Sequence, residues 1–185
     1  MSPQRRTRRS EAGRSEEGPE TFSGAQRAGL GARQADRDHT LAAVHALEAP
    51  LGAAARGRQR DWQEAVLSAL AVLAETTAEE AANADRPDSL LSDIARTQPR
   101  LRNRVRGVRL QYRQLRDALE GLRQELGEHS EAASDFSDIR QRLGWLLASL
   151  RHQRARESDL IYEAYFEAFR ADLAAETGGN EQRAL

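Results

Sequence analysis

The chain lacks cysteine and lysine, and each absence removes a class of chemistry. Without cysteine there is no thiol nucleophile, no disulfide, no thiolate zinc site and no cysteine-ligated iron–sulfur cluster. All 28 basic residues are arginine, so a lysine Schiff base and a phosphate-loop lysine are also excluded. Aromatic residues make up only 5% of the chain and prolines number five, so large rings and breakers are informative where they stand. No apolar run approaches the roughly 18–20 residues that span a bilayer. Arg5, Arg6, Arg8 and Arg9 precede no apolar segment, so neither a secretory nor a twin-arginine signal is expected, and the expected location is cytoplasmic.

What is present is polar but sufficient for a core. Charged residues are 31% and hydrophobic residues 39% of 185, enough for one domain with tails. The net charge of −1 argues against binding polyanions through the overall field. Residues 1–34 hold five glycines, two prolines, seven arginines and four glutamates, with Phe22 and Leu30 as the large apolar groups. Two such groups do not offset the ordering entropy of the stretch, which is therefore expected to be a disordered arm. The remainder carries a net −4, and a basic arm can lie against it. A domain is expected over 35–174, followed by a flexible tail over 175–185 that includes Gly178, Gly179 and Asn180.

Between the tails the period is helical, with no alternating strand pattern and no Asn-Gly or Asp-Gly hairpin signal. A first helix is expected from about Asp36 to the mid-50s on the stripe Leu41, Val44, Glu48 and Leu51, with Pro50 kinking or ending it. Gly57 lies in the turn to a second helix carrying Trp62, Val66, Ala69 and Leu73 toward Ala84. Arg86-Pro87-Asp88 breaks that helix, and Leu90, Leu91 and Ile94 predict a short connecting one. Pro99 opens a third long helix whose stripe runs Leu101, Val105, Val108, Tyr112, Leu115, Leu119, Leu122 and Leu126. A loop from Gly127 to Ser134 and a cap at Asp135 precede a last helix through Phe136, Ile139, Leu143, Leu146 and Leu150, reaching about Leu173. Four amphipathic helices with short loops predict an all-α, up-down-up-down four-helix bundle.

Polar residues on these stripes are the candidate site. Glu80 continues the buried face that starts at Trp62, Tyr112 stands in mid-stripe, and Glu157 lies seven residues beyond Leu150. His45 adjoins Val44 on the first helix. A buried carboxylate normally pairs, protonates or binds a metal, so the cluster is a metal shell, a hydrogen-bonded polar group, or a set of side chains that snorkel out at a loosely closed bundle end.

The last helix, with His152 followed five residues later by Glu157, resembles the final helix of hemerythrin-like (HHE cation-binding) bundles. The resemblance implies iron or another divalent metal held by His45, His152 and Glu157, with Glu80 and Tyr112 standing where that family has histidines. It implies binding or sensing by a partial site rather than catalysis. The other reading is a metal-free interaction module. It would act through the arginine-rich third helix (Arg100, Arg102, Arg104, Arg106, Arg109, Arg113, Arg116) or the aromatic last helix (Tyr162, Tyr165, Phe166, Phe169). The aromatic set is either a cap over the bundle end or a homodimer surface. Asp117, Glu120 and Glu125 beside the arginines argue against nucleic acid as the partner. His39 and His129 are expected at the surface. The lack of Glu-x-x-His pairs argues against a ferritin-like di-iron carboxylate site.

Overall fold

The structure is a computed structural model that describes residues 21–53, 57–128 and 136–183, with side chains described as far as residue 174. Among these residues the chain is all-α and no strand occurs. The elements are α1 (Gly24–Gly52), α2 (Gln59–Asp85), α3 (Leu90–Thr97), a single 3₁₀ turn (Pro99–Leu101), α4 (Arg102–Glu128), α5 (Ser137–Ala164) and α6 (Phe166–Arg183). No helix is long and apolar enough to cross a membrane among the described residues.

Helix ends follow local chemistry. Ser23 caps α1 in a capping box: its Oγ accepts from Gln26 N at 3.2 Å, and its own N–H donates to Gln26 Oε1 at 2.9 Å. α1 ends two residues after Pro50, whose carbonyl accepts from Ala53 N and from Trp62 Nε1. Gly57 turns the chain at φ +76°, a left-handed value that favours glycine. Ser89 Oγ caps α3, and Pro99 occupies the first turn of the 3₁₀ segment, where its missing N–H costs nothing. The expected cap at Asp135 and most of the loop before it lie outside the described residues.

Three expectations change. α1 begins at Gly24, so residues 24–34, expected in a disordered arm, form its first turns. The cap, the burial of Phe22 against Tyr165 and Phe169, and the ion pairs of Arg33 supply what composition alone did not reveal. The buried stripe of α1 is Thr40, Ala43, Val44 and Leu47, rotated from the expected one, and Leu41 is exposed. The last helix is two: it breaks at Tyr165, and α6 runs into residues expected to be tail.

The interior is layered. One apolar cluster joins Val44 and Leu47 to Trp62, Leu70, Leu73, Leu126 and Leu143. A second joins Phe22, Leu91, Ile94, Val105, Leu160 and Tyr165. Along every long helix the two are separated by a polar step: Arg33 to Thr40 on α1, Thr77 and Glu80 on α2, Tyr112 on α4, and Gln153, Arg154 and Glu157 on α5. Paired residues run in opposite senses on successive long helices. Thr40 meets Glu80 while Pro50 meets Trp62, Gln63 meets Leu126 while Glu80 meets Tyr112, and Glu125 meets Arg142 while Tyr112 meets Glu157.

Candidate functional site

The polar step is organised around one guanidinium. Arg33 Nη2 lies 3.1 Å from Glu80 Oε1, 2.6 Å from the Tyr112 hydroxyl and 2.7 Å from Glu157 Oε2, so two N–H groups are shared among three oxygens from three helices. Its Nη1 donates to Asp36 Oδ2 at 3.3 Å. The single Tyr112 proton goes to Glu157 Oε2 at 2.7 Å in preference to Glu80 Oε1 at 3.2 Å. Glu80 Oε2 accepts from Thr40 Oγ1 at 2.9 Å and from Arg154 Nη2 at 3.3 Å. Asn83 Nδ2 donates to Asp36 Oδ1 at 3.0 Å.

Burial makes these contacts electrostatically strong. It works against the charge on Arg33, but Glu157, Tyr112 and Glu80 outweigh it and hold the guanidinium above its ordinary value. Burial pushes the Glu157 carboxyl up from its ordinary value, against the pull of Arg33 and Tyr112. Burial, reinforced by Glu157, also raises the Tyr112 phenol, so Tyr112 is a neutral donor, not a phenolate. Glu157 Oε1 and Gln153 Nε2, one turn apart on α5, are sealed from solvent without a partner among the described residues.

Of the five residues predicted as ligands, Glu80, Tyr112 and Glu157 converge as expected from their stripes, and His45 and His152 are exposed at the surface. Among the described residues no group of three or more histidines, cysteines and acids could hold a metal ion. A guanidinium donating into both carboxylates and a protonated phenol leave the wrong donor set for iron or another divalent cation. The residues do not fit one.

Sequence reasoning missed Arg33, Thr40 and Arg154. Arg33 and Thr40 are seven residues apart, two helical turns, and continue the Val44 face, a spacing hidden by assigning Arg33 to a tail.

Between α1 and α5 the polar step opens into a cleft of about 460 Å³, bordered by Arg33, Arg37, Glu80, Arg154, Glu157 and Ser158 at its polar part. Elsewhere, Tyr165 is buried in the cap with Phe22, whereas Tyr162 and Phe166 are exposed, so only part of the aromatic run forms the cap. Arg100 of the 3₁₀ turn and Arg104 pair with Glu163, Arg109 with Asp85 and Arg123 with Glu120, so part of the arginine charge of this stretch is paired within the molecule. No protein-family model, curated protein or solved structure matches this chain. The class defined by fold and site is an all-α protein with a buried, arginine-centred ionic layer beside a cleft.

Proposed function

We propose that this chain is a metal-independent binding protein of up-down-up-down, hemerythrin-like helix order, in which Arg33 takes the central place of a cation. It takes a small ligand into the α1–α5 cleft and does not catalyse. The opposed pairings of successive long helices support the arrangement. The observation that carries the reading is the cleft itself: a concave site of ligand size, part apolar, with charged groups fixed by the ionic layer behind it.

A ligand that binds the folded state raises the melting temperature with its concentration. A thermal-shift screen of small molecules against the wild type and Ile161→Arg, which fills the cleft wall, tests the reading. Stabilisation that is lost in the variant supports it. Stoichiometric ferrous iron bound under anaerobic loading and lost in Glu157→Gln would overturn it in favour of a metal site.

A second reading, association through the last helices, rests on the exposed rings of Tyr162 and Phe166, which are 50% and 40% accessible. Sedimentation of wild type against Phe166→Ser decides it, and a monomer in both removes it.

A further inference from the structure

We propose that the ligand of the α1–α5 cleft is a small amphipathic carboxylate, its head held by Arg37, Arg154 and Ser158 and its apolar body laid along Leu30, Ile161 and Phe169. This rests on the cleft being a ligand site, and adds what chemistry it selects.

The cleft combines charged and hydroxyl groups with the apolar side chains of Leu30, Ile161 and Phe169. Arg37 reaches from α1 to α5, where its Nη1 donates to Ser158 Oγ at 3.1 Å, and it has no carboxylate partner among the described residues. Arg154 stands four residues before Ser158, on the same face of α5. Its side chain is only 9% exposed, yet its one hydrogen bond among the described residues is the long 3.3 Å contact to Glu80. Two guanidiniums, each with most of its donors unspent, and a hydroxyl thus converge from two helices. The fork geometry of guanidinium matches a carboxylate, and the partly buried setting strengthens the pairing.

Leu30 lies seven residues before Arg37 on α1, about 10 Å along the helix axis at 1.5 Å per residue. Ile161 and Phe169 line the cleft from α5 and α6. That separation along α1 leaves room for a charged head at Arg37 and a short apolar chain reaching Leu30.

Charge also favours an anion. The lining carries three arginines against Glu80 and Glu157. Those two carboxylates are engaged by Arg33, Tyr112 and Thr40, with a longer contact from Arg154 to Glu80, and the one oxygen without a partner among the described residues, Glu157 Oε1, is sealed from solvent and cannot meet a cationic head. Asp36, also paired with Arg33, is held by Asn83 and does not line the cleft.

The test is calorimetric titration of the full chain with octanoate, octylammonium, octanol and acetate, on wild type, Arg37→Gln and Phe169→Ala. Arg37 is exposed and makes no core contact, so its variant is expected to fold, which circular dichroism checks. Octanoate is expected to bind one to one, at least tenfold more weakly to Arg37→Gln, and more weakly to Phe169→Ala, while acetate, lacking the chain, binds poorly. If octylammonium or octanol binds as tightly as octanoate, or Arg37→Gln leaves octanoate unaffected while Phe169→Ala weakens it, the anion assignment falls and the cleft reading stands. If none of the octyl compounds binds, both fall. Octanoate binding that ignores both substitutions is adsorption elsewhere and also overturns the proposal.

Discussion

Arg33 Nη2 and Glu157 Oε2 meet at 2.7 Å although 124 residues separate them in the chain. The contact ties the first helical turns to the middle of α5, and the Tyr112 hydroxyl completes a triangle by bonding both. In a layer this buried, the three groups depend on one another. Two carboxylates share a cation, and removing that cation leaves like charges facing each other in a low dielectric.

Arg33→Met is accordingly expected to destabilise the protein by about 3–5 kcal/mol, the cost of stranding buried charge. Urea unfolding measures it. Adding Glu157→Gln to that variant is expected to recover part of the loss, because the stranded charge is then removed. A double variant no more stable than Arg33→Met would show that the two residues are not coupled.

Glu157 imposes a pH dependence. Its folded-state value is raised above the ordinary 4.5, so between the two values the folded state holds the proton more tightly than the unfolded chain. Its contribution is fully present below the unfolded value and is lost as pH rises through the folded one, with a slope of at most about 1.4 kcal/mol per pH unit. The groups facing it are Arg33 from α1, Tyr112 from α4 and Glu80 from α2. Urea midpoints from pH 4 to pH 8 are expected to fall less steeply for Glu157→Gln than for wild type. Parallel curves would contradict the raised value.

Exposed His45 and His152 are not expected to act as ligands. Anaerobic loading of wild type and His152→Ala with ferrous iron should leave both without stoichiometric metal, by elemental analysis and visible absorption. Iron lost specifically from the histidine variant would restore the metal shell implied by the hemerythrin resemblance.

The two tryptophans differ in role. Trp62 is buried against Phe136 with Arg140 over its ring, and its Nε1 donates to Pro50 O at 2.8 Å, whereas Trp145 is 65% exposed. Trp62→Phe is expected to cost roughly 1–2 kcal/mol for the lost bond and packing, and Trp145→Phe less than about 0.5 kcal/mol. Chemical denaturation measures both. Acrylamide should quench the tryptophan that remains in Trp62→Phe far more than the one that remains in Trp145→Phe.

Local pattern made much of the fold readable. The α4 stripe from Leu101 to Leu126 is buried as expected, with Leu115 half-buried, because its steps of three and four fix one face whatever the neighbours are. Pro87 and Pro99 marked boundaries through their own geometry. The same periodicity singled out Glu80, Tyr112 and Glu157. It did not support His45 and His152, each of which adjoins a buried position and is turned about 100° away from it by one helical residue.

The sequence by itself determined the helical class, most of the helices and their inward faces, and the acidic and phenolic groups on them, since these depend on residues three or four apart. Only the tertiary structure decided what those groups face. Arg33 reads locally as part of a polar arm, and becomes the centre of the ionic layer once α1 packs on α2 and α5. Such a partnership is fixed by the register of packed helices and by the need to neutralise buried charge, and neither is written in any short stretch of chain.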